Sequence, residues 1–231
     1  MKNHKTITEI REKSPVLTPS LLACDFAHLG DEIASCQAAG AEVLHCDIMD
    51  GHLVPNLSFG VPVVEAIRRE TKLPLDVHLM LDNPEHYIKP FFDAGADMLT
   101  VHIEAHADPR FLFDAIHDLG IPAGLCLDPP TPVESVKPYI NDCEMVLVMS
   151  VMAGFGGQKF NPVAVEKIRQ LRQWGGEELL LSVDGGINLE TLPLVAEAGV
   201  DLFVAGSDFF RQSDRKSYLE EMTLVARNAR G

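Results

Sequence analysis

Eight short apolar runs recur along the 231-residue chain, and their spacing limits the folds that it can adopt. The runs end at residues 22, 47, 78, 102, 127, 149, 184 and 205, so successive ends are 21 to 35 residues apart. One strand and its crossover helix need about that length. The predicted strands are residues 17–23, 42–47, 75–80, 98–102, 123–127, 145–149, 178–183 and 201–205.

Amphipathic segments between the apolar runs predict the crossover helices. Gly40, Gly95 and Gly120 fall where a helix would end in a left-handed residue, and Asn161 and Asn188 are suitable N-caps. The predicted helices are residues 26–39, 61–70, 85–94, 110–119, 132–140, 162–174, 189–198 and 217–229.

The alternation of strands and helices predicts an α/β protein with a parallel sheet, and closure into a single (β/α)8 TIM barrel is the simplest arrangement. An open doubly wound sheet is the structural alternative. It should carry a glycine-rich dinucleotide-binding turn after its first strand, and the sequence SLLACDF at residues 20–26 has none. No linker or shift in composition indicates a second domain, so we predict one domain over residues 1–231.

Composition excludes several functional classes. The formal net charge of −15, without a lysine or arginine cluster, argues against nucleic-acid binding. No stretch approaches the ~20 apolar residues of a membrane span, and residues 1–14 lack the apolar core of a signal peptide. The five cysteines form no C-x-x-C pair, which favours small buried thiols in a reducing compartment. We therefore expect a cytoplasmic protein without nucleic-acid or membrane partners.

Polar side chains interrupt the apolar strands near their C-terminal ends, where barrel enzymes place their active sites. His45 and Asp47 are two residues apart and so point to the same face. His78 lies in the third strand, His102 ends the fourth, and Asp184 follows the seventh. Taken singly, each is typical of hydrogen-bonded structure or a turn. Together, His45, Asp47, His78 and Asp184 form a set of imidazoles and carboxylates that suits Zn²⁺, Fe²⁺, Mn²⁺ or Co²⁺.

Three glycine-rich loops follow neighbouring strands and indicate a phosphate site. They are MAGFGGQKF at residues 152–160, DGG at 184–186 and AGSDFF at 205–210. Barrels often bind phosphate with the loops after strands seven and eight, where glycine lets backbone N–H groups approach the oxygens. Such local donors are needed because the net charge of −15 repels an anion at long range. Ser207 could add a hydroxyl.

Longer motifs in these same regions resemble the ribulose-phosphate 3-epimerase family. The resemblance extends from about residue 17 to about residue 210, and residues 1–14 form an N-terminal extension outside it. The motifs are PSLLACDFAHLGDE (19–32), HCDIMDGHLVPNLSFG (45–60), LDVHLMLDNPEHYI (75–88), VHIEA (101–105), GFGGQKF (154–160), VDGGIN (183–188) and VAGSDFF (204–210).

The resemblance implies a (β/α)8 barrel with one divalent metal ion that interconverts ribulose 5-phosphate and xylulose 5-phosphate. It implies an isomerase of the pentose phosphate pathway or of carbon fixation, and we expect a homo-oligomer whose ligand is a small sugar phosphate. By motif position, the metal ligands are His45, Asp47, His78 and Asp184, and the two aspartates form the acid/base pair. The implied substrate contacts are Ser20, His78, Gly154, Phe155, Gly156, Gly157, Gly185, Gly186, Gly206 and Ser207.

One departure from the family pattern lies in the loop after strand six. The family usually has a proline directly before Gly-Phe-Gly-Gly, preceded by Asn, Asp or Glu, and here these positions are Met152 and Ala153. The change leaves the conformation of this loop and the turnover rate open.

Three other functions compete with epimerisation of a pentulose phosphate. The first is a 3-epimerase for another ketose phosphate, such as allulose 6-phosphate. The second is a decarboxylase of the orotidine-phosphate type, which needs D-x-K-x-x-D at strand three. Here the residue two positions after Asp76, where the lysine should stand, is His78. The third is a sugar-phosphate-binding barrel without catalysis, and loss of Asp47 or Asp184 would be its signature.

Overall fold

The computed structural model describes residues 4–231, and eight parallel strands with helices between them form a nearly closed (β/α)8 barrel, as predicted. The strands pair in the order β1-β8-β7-β6-β5-β4-β3-β2, and a parallel bridge between Ser20 and His45 brings the first strand next to the second. The strands are β1 (Val16–Pro19), β2 (Leu44–Met49), β3 (Leu75–Met80), β4 (Met98–His102), β5 (Ala123–Leu127), β6 (Met145–Met149), β7 (Leu180–Asp184) and β8 (Leu202–Ala205).

The bounds of β3, β4, β5 and β6 are those predicted, because each is a buried apolar run between breaker residues. The first strand is shorter than predicted. It ends at Pro19, and the chain turns into a 3-10 helix at Leu21–Ala23. The second strand continues two residues past its predicted end, so that Met49 also lies in the wall of the barrel.

Nine α-helices occur in residues 4–231, and most cover the outside of the barrel. Their inward faces pack on the outer faces of the strands in one apolar cluster. They are α1 (Lys5–Lys13), α2 (Leu29–Ala39), α3 (Val61–Glu70), α4 (Ile88–Asp93), α5 (Arg110–Asp118), α6 (Val163–Gly175), α7 (Leu192–Glu197), α8 (Ser207–Phe210) and α9 (Arg215–Arg230).

Four predicted helices differ from the structure. Helices α2 and α4 each begin three residues later than predicted, after the 3-10 turns Phe26–His28 and Pro84–His86. The prediction for residues 132–140 is wrong, because this segment forms only two 3-10 turns, Val133–Ser135 and Lys137–Tyr139. Pro138 lacks an N–H group and would clash with the preceding turn of an α-helix. Helix α7 begins later than predicted, because the side chain of Asn188 accepts the backbone N–H groups of Glu190 and Thr191 and holds a turn there.

The N-terminal segment, for which no helix was predicted, contains α1, and this helix closes the floor of the barrel. Ile7 and Ile10 lie one turn apart and are buried against the first residues of the strands. Arg11 donates a hydrogen bond to the backbone carbonyl of Glu178 at 2.5 Å, which fixes the helix at its C-terminal end. The apolar residues of this floor are Ile7, Ile10, Val16, Val43, Met98, Met145, Leu180 and Leu202.

We expect Ile10→Ala to lower the free energy of unfolding by about 2–4 kcal/mol, because the side chain is 2% exposed and its loss leaves a cavity in the floor. Urea denaturation measures this change. The control is Leu224→Ala in α9, a position that is 59% exposed, where the change should stay within about 0.5 kcal/mol. Equal effects of the two substitutions would contradict a packed role for α1.

Two predictions made from the composition can be compared with the structure. All five cysteines are free and buried, as predicted, and burial raises the pKa of Cys46 and Cys126 well above the usual value. Within residues 4–231, no helix combines the length and apolarity that a membrane crossing requires.

Candidate active site

A cavity of about 390 Å³ opens at the carboxyl ends of the strands, which is the size of a small-molecule site. Asp47 and Asp184 line it from β2 and β7. His45 and His78 lie beneath it and are fully buried. The other residues of the predicted substrate site all line this cavity; they are Ser20, Gly154, Phe155, Gly156, Gly157, Gly185, Gly186, Gly206 and Ser207.

The four predicted metal-ligand residues lie together at the bottom of the cavity. One ligand atom from each of His45, Asp47, His78 and Asp184 lies within 4.8 Å of the others. Oδ1 of Asp47 is 3.1 Å from Nε2 of His45 and 3.1 Å from Nδ1 of His78. Such separations are typical of atoms that share a metal ion at about 2.0–2.2 Å. The donors are two imidazoles and two carboxylates, so the site fits one divalent transition-metal ion.

A buried carboxylate orients His45. Nδ1 of His45 lies 2.8 Å from Oδ2 of Asp76, and the hydroxyl of Thr100 donates to the other oxygen of Asp76 at 3.3 Å. Asp76 is fully buried. Nδ1 of His45 therefore carries the proton, and its Nε2 is free to present a lone pair to the site.

His78 is oriented by a chain of two further side chains. Its Nε2 lies 2.8 Å from Nε2 of His102, and Nδ1 of His102 lies 3.0 Å from Oε2 of Glu104. If Nδ1 of His78 presents its lone pair to a metal, its Nε2 must carry the proton and donate it to His102. His102 is then protonated on Nδ1 and donates to Glu104, so the carboxylate fixes the tautomers of both rings.

Glu104 is itself fixed by the loop after β5. Its Oε1 accepts the backbone N–H of Asp128 at 2.8 Å and the hydroxyl of Thr131. These bonds and His102 outweigh burial, so the pKa of Glu104 is lowered to about 2. Sequence reasoning did not identify Glu104 or Asp76 as parts of the site. Their only signals were the motifs VHIEA and LDVHLM in which they lie.

The two cavity aspartates have opposite proton affinities. Burial and the nearby charge of Asp47 raise the pKa of Asp184 to about 7. Burial would also raise the pKa of Asp47, but the two histidines outweigh it and hold the pKa of Asp47 below its usual range. Among the protein groups alone, Asp47 is thus the carboxylate that stays ionised, and Asp184 is the one that binds a proton more readily. This is the arrangement expected of a base and an acid in one site.

An apolar wall encloses the reacting end of the cavity. Met49, Met80 and Met149 come from the ends of β2, β3 and β6, and each is at most 6% exposed. They line the cavity next to the two aspartates. Such a wall keeps water away and strengthens the electrostatic interactions between the polar groups.

The glycine loops also line the cavity, and Gly185 and Gly186 directly follow Asp184. The φ angles of Gly157, Gly185 and Gly186 are +72°, +110° and +62°, which other residues rarely adopt. A methyl group on Gly156 or Gly157 would lie 3.8 or 3.7 Å from Oγ of Ser207, so these loops converge.

We expect Gly186→Ala to raise KM for a phosphorylated substrate by about 10-fold or more. The added Cβ would meet the backbone nitrogen of Phe160 at 2.7 Å, so the loop must move. Steady-state kinetics measure the change. Gly30→Ala in α2 is the control, because its Cβ would approach only the side chain of Glu70, at 3.9 Å. An unchanged KM in the Gly186 variant would contradict a phosphate role for this loop.

Three side chains, two of them from other loops, hold the segment around Met152 and Ala153. The backbone N–H of Ala153 donates to Oδ1 of Asp128 at 3.3 Å, and Nδ2 of Asn56 donates to the carbonyl of Gly154 at 2.7 Å. Nε2 of Gln158 donates to the carbonyl of Met152 at 2.7 Å. The loop is therefore fixed by hydrogen bonds where the family pattern has a proline.

Solved structures of other barrel proteins share this fold. A 3-keto-L-gulonate-6-phosphate decarboxylase from Vibrio cholerae aligns with a TM-score of 0.72 at 16% identity, covering 93% of this chain and 98% of that one. A tryptophan synthase structure from Mycobacterium tuberculosis aligns with a TM-score of 0.71 at 12% identity, covering 97% and 99%. Such low identities show the fold alone.

Sequence relatives are much closer. A ribulose-phosphate 3-epimerase from Bacillus subtilis is 47% identical over 210 residues, which cover 89% of this chain and 97% of the relative. A ribulose-phosphate 3-epimerase from Synechocystis is 42% identical over 223 residues, covering 94% and 96%. Residues 16–210 match the model of the Ribulose-phosphate 3 epimerase family. The chain therefore belongs to the ribulose-phosphate 3-epimerase family.

Proposed function

We propose that this enzyme interconverts D-ribulose 5-phosphate and D-xylulose 5-phosphate by inverting the configuration at carbon 3. The observation that carries the proposal is the pair of aspartates, Asp47 and Asp184, which reach one cavity from β2 and β7 and lie there beside His45 and His78. The relatives named ribulose-phosphate 3-epimerase support the choice of substrate.

Epimerisation beside a ketone requires that a proton leave one face of carbon 3 and that a proton arrive on the other face. Asp47, held ionised, removes the proton and leaves a planar enediolate. Asp184, whose pKa is raised by burial and by the charge of Asp47, delivers a proton to the opposite face. The two carboxylates come from β2 and β7, which are separated in the barrel by β1 and β8. Their roles exchange in the reverse direction.

The residues at the bottom of the cavity would hold the divalent ion. His45, Asp47, His78 and Asp184 are its proposed ligands, and Zn²⁺, Fe²⁺, Mn²⁺ and Co²⁺ all suit this donor set. When bound, the ion supplies a Lewis acid for the negative charge that develops on the ketone oxygen.

The glycine loops would hold the phosphate and thereby place carbon 3 between the two aspartates. We assign this role to backbone N–H groups of Gly156, Gly157, Gly186 and Gly206 and to the hydroxyl of Ser207, with Gly154, Phe155 and Gly185 completing the loops. Ser20 donates to Oδ2 of Asp47 at 2.6 Å, which orients the base, and we propose that Ser20 also contacts the sugar. His78 is fully buried and both its ring nitrogens have partners, so we propose that it acts on the substrate only through the metal ion that it would hold. We also propose that the protein forms a homo-oligomer and works in the cytoplasm.

An assay of the purified, metal-replete protein with ribulose 5-phosphate tests the proposal. We expect xylulose 5-phosphate as the product, followed by its carbon-3 proton signal in NMR spectra. Allulose 6-phosphate is the comparison substrate. Faster epimerisation of allulose 6-phosphate would overturn the choice of substrate, and binding without turnover of either sugar would overturn the assignment as an epimerase.

We expect Glu104→Gln to weaken metal binding by about 10- to 100-fold, the usual effect of removing a group that orients a metal-ligating histidine. Glu104 accepts from His102 with one oxygen and from the N–H of Asp128 with the other, and an amide has only one acceptor oxygen for these two donors. The tautomer of His78 is therefore no longer fixed through His102. Competition with a chelator measures the affinity. The control is Glu134→Gln, in the 3-10 turn Val133–Ser135. Equal metal affinities of the two variants would contradict the proposal that Glu104 orients His78 through His102.

A further inference from the structure

A second group of metal-ligand side chains lies on the floor of the barrel, at the opposite end from the cavity. His4 directly precedes α1, His117 lies in the last turn of α5, and Glu144 directly precedes β6. One ligand atom from each lies within 4.8 Å of the others. Because the crossover helices run antiparallel to the strands, the end of α5 and the start of β6 meet at the floor.

Two of these side chains already form a buried pair. Nε2 of His117 lies 2.8 Å from Oε2 of Glu144, and the same oxygen accepts the backbone N–H of Ala123 at 3.0 Å. The side chain of Glu144 is only 2% exposed and that of His117 is 12% exposed. The carboxylate is thus withdrawn from water and fixed in place, as metal-ligating carboxylates are.

His4 brings a second imidazole, whose buried Nε2 lacks a hydrogen-bond partner among residues 4–231. Its ring stacks on the ring of His117, with the centroids 5.9 Å apart and the planes 17° apart. Among residues 4–231, no group forms a hydrogen bond with Nε2 of His4, although this atom is enclosed by the protein. A buried polar atom of this kind is unfavourable unless something binds it.

The surroundings favour a cation. Asp114 and Asp142 line the same cleft as His117 and Glu144. Arg110 also lines it, but its guanidinium is already paired with Asp108 at 2.6 Å. The cleft therefore carries an excess of negative charge.

We propose that His4, His117 and Glu144 bind a divalent transition-metal ion, separate from the catalytic one, that holds the N-terminal helix against the floor of the barrel. Two imidazoles and one carboxylate suit Zn²⁺ or Co²⁺, whereas Mg²⁺ and Ca²⁺ prefer ligand sets made of oxygen alone. His4 and α1 precede residues 16–210, the region that matches the family model, whereas His117 and Glu144 lie within that region.

The structural consequence follows from what α1 covers. Ile7 and Ile10 close the apolar floor, and His4 lies at the free end of this helix. An ion that joins His4 to α5 and β6 would tie that end to the barrel. Because the three ligands come together only in the folded chain, the ion would bind only the folded state. It would therefore stabilise the folded state relative to the unfolded chain.

Zinc stoichiometry tests the site in the 231-residue enzyme with its catalytic site filled. After equilibration with buffered Zn²⁺ and removal of unbound ion, we expect two metal ions per wild-type chain and one in His4→Gln and in His117→Gln. Glutamine keeps a side chain of similar length but supplies no imidazole. The control is His86→Gln, whose side chain is 70% exposed, and it should retain two ions. Epimerase activity should be unchanged in all three variants, because none lies near the cavity.

Thermal unfolding supplies the second measurement. Added Zn²⁺ should raise the Tm of the wild type and of His86→Gln above that of the catalytically loaded protein, and it should not do so in His4→Gln. If His117→Gln fails to fold, His4→Gln still decides, because His4 lies outside the barrel. A wild type that binds one ion, or a His4→Gln variant that binds two and keeps the Tm response, would overturn the proposal.

Discussion

Asparagine at position 47 or at position 184 should lower kcat by about 10²-fold or more in each case, the usual effect of removing a positioned acid or base. Each aspartate serves one face of carbon 3 in the proposed mechanism, so neither can replace the other. Asparagine has nearly the shape of aspartate, and Ser20 can still donate to the amide oxygen at position 47. Steady-state kinetics with ribulose 5-phosphate measure the change.

Metal content is the necessary control for these two variants, because both aspartates are also proposed ligands. Each variant must therefore be compared with the wild type at equal metal occupancy and after its fold has been checked by circular dichroism. A single-base mechanism predicts a different pattern, in which one substitution is nearly silent and the other abolishes turnover.

Removal of the catalytic metal should lower kcat by about 10³-fold or more, since a Lewis acid at a developing oxyanion contributes several kcal/mol. Refilling the stripped protein with Zn²⁺, Fe²⁺, Mn²⁺ or Co²⁺ should restore turnover. Mg²⁺ and Ca²⁺ should restore little, because the site offers two imidazoles. The His4→Gln variant, in which the floor site is removed, should respond in the same way. Full activity in a protein verified to be free of metal would contradict this part of the account.

Much of the barrel could be predicted because its signals are local. Each of the strands β3 to β6 is an apolar run between breakers, so its bounds follow from the neighbouring residues alone. The cavity also follows from local signals, because the carboxyl ends of parallel strands meet at one end of a barrel. The four proposed metal ligands could therefore be grouped without knowing how the strands pair; they are His45, Asp47, His78 and Asp184.

The groups behind these ligands could not be predicted, because they depend on the register between strands. In the pairing of β2 with β3, His45 lies beside Asp76 and Asp47 lies beside His78, and these are the pairs that form hydrogen bonds. A shift of register by one residue would separate both pairs. No spacing within a single strand contains that information.

The helix α1 was missed for a different reason. The segment has only two apolar residues on its inward face, Ile7 and Ile10, so its periodicity is weak. What stabilises it is the apolar floor to which the first residues of β1, β4, β6, β7 and β8 contribute. The same assembly brings His4 to His117 and Glu144, which are more than 100 residues away in the sequence.

Exchange of the carbon-3 proton with D₂O tests the two-aspartate mechanism most directly. Fully metallated Asp184→Asn keeps the base Asp47 but lacks the acid for the other face. Incubated with ribulose 5-phosphate in D₂O, it should return ribulose 5-phosphate that carries deuterium at carbon 3, with almost no xylulose 5-phosphate. Near-normal epimerisation by folded, fully metallated Asp47→Asn and Asp184→Asn variants would contradict the mechanism.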